Sequence, residues 1–422
     1  MEFKIGKQVV WKLFIIYLLL QPVMDALTAL FLLQLHWRIT PGLILRNGVL
    51  LIFIVYVFLA AKDNRKVLIV LFGFYAVHLM INMQYKQVFD MFEEISYFFK
   101  YVYFILCLLF LLDIIKGVGI RGKLELIKYL NWVITLISLC IIIAWITNTG
   151  VQSYGSSKIG QIGWFFSGTK VSAALAILFP ISLLEAVTKS KTNNYYWILV
   201  VLNIIAMFMT GTKTSYMGLG IALVGMMIIL LLKKIWFKEN NLTRNILIVF
   251  FLFIAVGIYT PFSPVYQNIS IHQSWEEETR PDLIFNGREI KVSTAEDDFV
   301  HTNNYRKLFG IGYGGDYDIA SEMVPIERDF HEMFIYYGIL GFIVMLYYPL
   351  KKVGSIVIYR LKHWNEVDIP YDMLLISFVS ALGCSFIAGH VLFAPSVSIY
   401  LAAVIALIYP KGEWSGEDTS LL

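Results

Sequence analysis

The chain has 422 residues, of which 58% are hydrophobic and 15% are charged, and its mean hydropathy is +0.70. Soluble domains carry about 25% charged residues, so this composition excludes an ordinary soluble globule and indicates a polytopic α-helical membrane protein. The formal net charge of +4 is too small to indicate a nucleic-acid partner, and the distribution of charge is more informative than its sum.

Apolar runs recur along the chain, and many approach the ~20 residues needed to cross a bilayer. We predict twelve spans, at about residues 12–34, 42–60, 67–83, 97–113, 126–147, 169–187, 195–211, 214–232, 245–262, 331–350, 371–389 and 394–410. The cysteines lie inside these runs, and Cys and His do not cluster with metal-ligand spacing. The sequence therefore predicts an all-α polytopic membrane protein with no disulfide, metal or cofactor.

One long polar interval divides the chain. Residues 1–262 form the first nine predicted transmembrane helices, residues 263–330 an extracytoplasmic loop, and residues 331–422 three further helices and a cytoplasmic tail. Lys and Arg are concentrated in the connections that lie inside if the amino terminus is cytoplasmic. We therefore predict a multi-pass protein of the cytoplasmic (inner) membrane, with both termini in the cytoplasm.

Asp25, Arg46 and Lys100 are charged residues that fall within the predicted spans. Asp25 is near the middle of the first span, and Arg46 is in the outer half of the second. Since ionisable residues in a membrane are costly, these two are expected to pair, either as a structural ion pair or as part of a proton or substrate relay. Lys100 is expected near the outer end of the fourth span, where its amine can reach the interface.

Lys213 lies in the short outside turn Thr210–Ser215, between the seventh and eighth spans. The hydroxyls of Thr212, Thr214 and Ser215 can cap the helix that follows. A helix amino terminus with a lysine and free amides suits an anion. The alternative is a lysine that simply ends a span.

The long loop carries arginines at positions 280, 288, 306 and 328. Acidic residues outnumber basic ones in this loop, so an anion site here would be a local arginine pocket rather than a basic patch. The glycines of Phe309–Gly315 predict tight turns, but the segment lacks the G-x-G-x-x-G pattern of a dinucleotide loop.

The loop ends on a polar run that enters the tenth span. On a helix, Glu327 and His331 are four residues apart and Arg328 and His331 three apart, so they share one face, with Glu332 on the neighbouring face. This cluster is either a polar cap at the membrane boundary or part of a catalytic site.

Several of these segments together resemble the O-antigen polymerase and ligase superfamily in its Gram-positive form. The matching segments, which extend over most of the chain, are Gln21–Asp25, Gly163–Lys170, Thr210–Ser215, Asn286–Glu289, Phe309–Tyr313, Glu327–His331 and Gly338–Gly341. Two positions depart from the family pattern: Lys213 stands where the family usually has Arg, and Lys170 stands where Asn or an acidic neighbourhood is expected. Lysine keeps the charge but loses the bidentate fork of arginine.

The resemblance implies a C-type glycosyltransferase-like fold and a metal-independent enzyme. The donor would be a glycan on a polyisoprenoid pyrophosphate, and the acceptor a hydroxyl group on the outer face of the membrane. Cations can stabilise the pyrophosphate leaving group without a metal. The candidates for this role are Lys213 and Arg288, followed by Arg280, Arg306 and Arg328. Membrane lipid, a flippase and a chain-length regulator are the expected partners.

The same resemblance implies a group that positions the acceptor hydroxyl, with inversion by direct displacement. His331 is the candidate catalytic residue, oriented by Glu327 or Glu332. The expected geometry has Arg288 and His331 facing Lys213 across a lipid-accessible cleft.

Four functions remain open from the sequence. A polymerase that extends repeat units and a ligase that moves finished glycan need the same loop. A flippase or secondary transporter also suits twelve spans, but transporters usually carry internal repeats and polar or broken helices at the midplane. The polar chemistry of this chain is concentrated in the loop, which favours surface catalysis over transport or over a sensor or structural role.

Overall fold

The protein is described by a computed structural model that covers residues 2–37, 39–61, 64–153, 159–190, 193–238, 242–275, 288–316, 325–363 and 365–408. Its helices in chain order are α1 (Glu2–Leu33), α2 (Pro41–Leu59), α3 (Arg65–Tyr85), α4 (Met91–Ile146), α5 (Gly168–Lys189), α6 (Tyr195–Met209), α7 (Lys213–Phe237), α8 (Thr243–Tyr259), α9 (Pro264–Trp275), α10 (Arg288–His301), α11 (Asn304–Phe309), α12 (Asp329–Lys362), α13 (Ile369–Ile387) and α14 (Pro395–Ile408).

Over the described ranges, nine helical stretches are long and apolar enough to cross a membrane, and α6 and α14 are apolar but shorter. This confirms the prediction of a polytopic helical membrane protein. Each predicted span falls on one of these helices, and two of them fall on α4. At 1.5 Å per residue, a 56-residue helix would be about 84 Å long, far more than one bilayer. Its backbone breaks at Gly119 (φ 69°) between the two predicted spans. The count of twelve crossings stays a prediction.

The most buried membrane helices are α5 and α14. In α5, 94% of the most apolar 18-residue window is buried, against 11% for the stretch that begins with α8, so α5 is central and α8 is peripheral. Small residues allow this close packing. A Cβ on Gly218 of α7 would lie 2.3 Å from the Cβ of Ala176 of α5, so the two helices touch at a glycine.

The described part of the predicted loop is largely helical. A short 3-10 helix, Thr260–Phe262, connects α8 to α9, and α10 and α11 precede a glycine-rich segment, residues 310–315, that we call the glycine loop. The predicted tight turns are confirmed, since Gly310, Gly312, Gly314 and Gly315 all have positive φ. Without a Cβ, glycine adopts this conformation at no steric cost.

The glycine loop docks where α12 is broken at Gly338 (φ 70°). The break frees two helix carbonyls, and the loop uses them: Ile311 N donates to Ile335 O (3.2 Å) and Gly312 N donates to Tyr336 O (3.0 Å). A Cβ on Gly338 would lie 2.4 Å from the nitrogen of Gly310, so only glycine fits at the contact. Helix and loop therefore satisfy each other's backbone groups.

Candidate active site

A buried ion pair fixes the glycine loop to the helices below it. Lys86, just after α3, donates to Glu94 of α4 (2.7 Å) and to the carbonyl of Tyr313 (2.6 Å). The backbone nitrogen of Tyr313 is held as well, because it donates to both oxygens of Glu94 (3.0 and 2.9 Å). Both charged side chains are only 2% exposed, so the pair depends on complete mutual satisfaction.

The Lys86→Met variant is expected to release the glycine loop. Glu94 would be left buried without its cation. Breaking a buried pair in this way lowers the free energy of unfolding by about 3–5 kcal/mol. Thermal unfolding of the purified protein and the rate of proteolysis within residues 310–316 would measure the effect. Lys66→Met, at an exposed position near the other end of α3, is the control. Equal melting temperatures and equal cleavage in the two variants would contradict this role.

Arg306, one of the predicted pyrophosphate ligands, is occupied by a structural contact. Its guanidinium makes a two-pronged ion pair with Asp316 (2.5 and 2.7 Å) and donates to the carbonyl of Ile311 (2.8 Å). Its side chain is 4% exposed. These bonds close the glycine loop from its other side, and a role for Arg306 toward substrate stays a prediction.

Glu327 lies at the point where the loop enters α12, between two cations. Its carboxylate is 3.1 Å from Nζ of Lys291 and 3.3 Å from Nε of Arg288, both on α10. Burial alone would raise the pKa of Glu327, but the hydrogen bond and charge of Lys291 and the charge of Arg288 outweigh it and lower the pKa. The residue has φ 58°. A left-handed backbone is strained for a non-glycine residue and is enriched at functional sites.

Glu332 holds the backbone of Glu327 rather than His331. Its Oε1 accepts from the nitrogen of Glu327 (2.8 Å), and its other oxygen accepts from the hydroxyl of Tyr97 on α4. The ring of Tyr97 stacks on that of Tyr313, with centroids 4.0 Å apart. The glycine loop, α4 and α12 thus position Glu327 together.

Two consecutive left-handed residues lie next to Glu327, in the connection between α13 and α14. Gly389 (φ 62°) and His390 (φ 60°) are held there by Asp329, whose carboxylate accepts from the nitrogens of Val391 and Leu392 (2.9 Å each). A Cβ on Gly389 would lie 2.4 Å from the carbonyl oxygen of Glu327. The anchor therefore brings the backbone before His390 against Glu327.

The pKa of His390 is affected by several nearby cations. Burial is the main cause that lowers the pKa of His390 to about 4. The positive charges of Lys170, Arg288 and Lys100 act in the same direction. The carboxylate of Glu327 opposes them but does not prevail. His390 is therefore neutral near pH 7, and it lies among cations supplied by α4, α5 and α10.

Stability is expected to fall as the pH is lowered from 6.5 toward 4, in part because of His390. An unfolded histidine titrates near about pH 6.5, whereas the folded pKa is about 4. Between these values the unfolded chain binds a proton that the folded protein does not. The contribution of neutral His390 to the free energy of unfolding is therefore complete above pH 6.5 and is lost on acidification.

Melting temperatures at pH 7.5, 6.0 and 5.0 test this pH dependence. His390→Asn should show a smaller fall on acidification than the unchanged protein. His36→Asn is a matched control, because His36 also has a left-handed backbone but is exposed. The same fall in His390→Asn as in the control would show that His390 is not responsible.

Arg328 and His331 contact the same ring. The guanidinium of Arg328 lies over Phe386 (5.3 Å), and the centroid of His331 is 6.2 Å from that ring. Arg328 also pairs with Glu289 (3.1 Å). The Nδ1 of His331 is buried and has no hydrogen-bond partner within the described ranges. The prediction of one helical face for Glu327, Arg328 and His331 is wrong, because α12 begins at Asp329 and the first two residues precede it. Arg328 and His331 instead meet at the ring of Phe386.

Lys213 begins α7 at a turn that is already well bonded. Thr212 is the helix cap, accepting from Ser215 N (3.3 Å). Asn268 of α9 donates to the carbonyls of Ile159 and Gly211 (2.6 and 3.0 Å) and ties this turn to the preceding loop. The cleft between Lys213 and the residues of α10 and α12 stays a prediction. Arg280 lies outside the described residues.

The predicted pairing of Asp25 with Arg46 is confirmed. Arg46 Nη2 donates to the carboxylate of Asp25, and the same guanidinium donates twice to Gln21 (3.2 Å each). Lys100 remains half-buried, with its amine 4.8 Å from the centroid of Tyr97.

His390 was missed by sequence reasoning, although one signal was available. Ala388–His390 falls at the end of the predicted span 371–389 and before the span at 394–410, on the side of the membrane predicted for the long loop. An ionisable residue at such a boundary is a functional candidate. Its proximity to Glu327 depends on Asp329, and no local pattern indicates that contact.

Comparison with known proteins finds a family match that includes the segments named in the sequence analysis. The family model described as O-antigen ligase like membrane protein matches residues 7–282 and 273–410, which together cover most of the chain. A search of curated proteins finds no match. The match includes the membrane helices, α10 and Glu327 as well as the connection that carries His390, so the resemblance inferred from scattered motifs is confirmed. The chain belongs to the family of O-antigen ligase-like membrane proteins.

Proposed function

We propose that the protein is a polysaccharide polymerase of the cytoplasmic membrane. It transfers glycan from a polyisoprenoid-pyrophosphate donor to an acceptor sugar hydroxyl on the outer face. The family suggests a glycosyltransferase-like enzyme of the polymerase or ligase type that acts on glycans. The observation that carries the proposal is the position of Glu327. Its backbone is left-handed and strained, and its carboxylate lies between Arg288 and Lys291.

The chemistry proposed for this cluster is a single displacement. The acceptor oxygen forms a bond to the anomeric carbon of the donor, and the bond from that carbon to the pyrophosphate oxygen breaks. The hydroxyl proton passes to the carboxylate of Glu327. The negative charge that develops on pyrophosphate is stabilised by Arg288, aided by Lys291. No metal is invoked, since guanidinium and ammonium groups take the charge.

The two cations also link donor binding to the basicity of Glu327. Without donor, they lower its pKa, which makes it a weak base. A bound pyrophosphate would compete for Arg288 and Lys291 and offset their charge, so the pKa of Glu327 would rise. The base would therefore be strengthened only when the donor is in place.

His331 is the second candidate for the base. Its unpartnered Nδ1 and its contact with Phe386 leave it able to accept a proton. His331→Ala compared with Glu327→Gln separates the two: the variant of the true base loses chain growth, whereas the other retains most of it. Equal, normal chain length in both variants would remove both residues from the site.

The experiment that tests the function uses the purified protein in liposomes with a lipid-pyrophosphate oligosaccharide. A ladder of products on a gel supports a polymerase. One discrete product on a different acceptor supports a ligase, in which case glycosyl transfer stands and polymerisation does not. Movement of labelled donor across the bilayer without any new glycosidic bond would overturn the proposal in favour of a flippase. In the cell, a flippase would have to deliver the donor to this face, and a chain-length regulator would act on the product.

A further inference from the structure

A small cavity, distinct from the site already described, lies between helices from both halves of the chain. Its volume is about 90 Å³, and its polar lining comes from α1, α2, α5 and α14. The polar side chains that line it are Asp25, Thr28, Arg46, Ser167, Lys170, Ser396 and Tyr400. Phe165 and Phe166 supply part of the apolar wall.

Lys170 is the unusual member of this lining. It is half-buried, and within the described part of the chain its amine makes no hydrogen bond or ion pair. The closest carboxylate in the lining, Asp25, is already bonded to Arg46. Two cations thus surround one anion. Lys100 adds a further positive charge in electrostatic range of Lys170.

An unpaired cation at this place is costly unless something neutralises it. Intramembrane charges normally find a partner of opposite sign, and the cavity offers room for one. The cavity is also bordered by Ser167, the residue that precedes α5, and by Lys170 in its first turn. The amino terminus of a helix favours an anion. The lining therefore has the charge and the space for an anion about the size of a phosphate.

The cavity lies near the amino-terminal end of α2, the end that the sequence predicts on the outer face of the membrane. Arg46 is the sixth residue of α2, which places it roughly 8 Å from the start of that helix. The side chains of Arg46 and Asp25 remain 16% and 26% exposed. Both side chains are therefore partly accessible to a charged group from outside the protein.

We infer that this cavity is a binding site for a phosphate-type anion carried on a lipid, with Lys170 and Arg46 as its ligands. The cavity is distinct from the cluster around Glu327, and its lining shares no residue with that cluster. The identity of the lipid as the glycan donor rests on the proposed function. Binding itself does not, so it is tested without any transfer reaction.

The test measures binding to full-length protein in phosphatidylcholine nanodiscs by calorimetry. Farnesyl diphosphate, inorganic pyrophosphate and nanodiscs with added phosphatidylglycerol are the probes. Lys170→Met is expected to weaken binding at least tenfold, and Lys170→Arg less than threefold. Lys116→Met, at an exposed position on α4, is the control and should bind as the unchanged protein does. The melting temperature of Lys170→Met without ligand should not fall, because the variant removes an unpaired charge.

The pattern of binding separates the sources of the anion. Binding of farnesyl diphosphate that pyrophosphate cannot compete away assigns an isoprenoid lipid, whereas full competition shows that the anion alone is recognised. Binding that appears only with phosphatidylglycerol assigns a phospholipid headgroup. Equal affinity of Lys170→Met and the unchanged protein for every probe, or no binding of any probe, would overturn the inference. Binding without the formation of any new glycosidic bond would reject the transfer reaction and leave this site standing.

Discussion

The Glu327→Gln variant is expected to lose about 100- to 10,000-fold in the rate of glycan transfer, the range of a general base. Glutamine keeps the shape of glutamate, and the nitrogen of residue 327 can still donate to Glu332. The fold should therefore survive. With the carboxylate gone, Arg288 and Lys291 lose their counter-charge, so the donor should bind as tightly as before or more tightly.

Steady-state kinetics separate these two effects of Glu327→Gln. We expect kcat to fall while KM for the lipid-linked donor is unchanged or lower. Glu296→Gln, at an exposed position on the same α10 that carries Arg288, is the control for loss of a loop carboxylate. A normal kcat in Glu327→Gln would exclude the carboxylate as the base. A raised KM with normal kcat would make it a ligand of the donor or acceptor instead.

The Arg288→Ala variant is expected to lose about 100- to 1,000-fold in kcat, the usual effect of removing one group that stabilises transition-state charge. Arg288→Lys should recover part of that loss, because it keeps the charge but not the fork. Arg121→Ala, at an exposed position on α4, is the control. Full activity in Arg288→Ala would remove this residue from the leaving-group site.

The pH profile gives a second, independent measure of Arg288. The charge of Arg288 helps to lower the pKa of Glu327, so removing it should raise that pKa. Glu327 acts in its deprotonated form. The acid limb of the residual activity of Arg288→Ala should therefore move to higher pH. A limb at the same pH as in the unchanged protein would show that the titrating group is not Glu327.

Much of the fold follows from local patterns in the sequence. Apolar runs of bilayer length predicted the membrane helices, and the glycines after Phe309 predicted the turns of the glycine loop. The Asp25–Arg46 pair was predicted because two isolated charges in adjacent spans have few other ways to be neutralised. Each of these features depends on residues close in sequence or on the solvent alone.

The site depends on contacts that no local pattern contains. The backbone of Gly389 lies against Glu327, where Asp329 anchors the connection by accepting from the nitrogens of Val391 and Leu392. The occupation of Arg306 by Asp316 likewise requires the glycine loop to fold back on itself. A list of cations in a sequence does not tell which are already neutralised. Arg306, for example, was one of the candidate pyrophosphate ligands, and only the structure shows that it is paired with Asp316.

The backbone hydrogen bonds between the glycine loop and the broken helix α12 limit the movement of this loop. Lifting this segment away would strip Ile335 and Tyr336 of their backbone partners and expose the Lys86–Glu94 pair. Gly338 could then regain a helical geometry only by moving half of α12. The segment is therefore a stationary wall, and it is not suited to act as a swinging gate. Under the proposed function, a donor would therefore approach the cations of α10, Arg288 and Lys291, without displacing this segment.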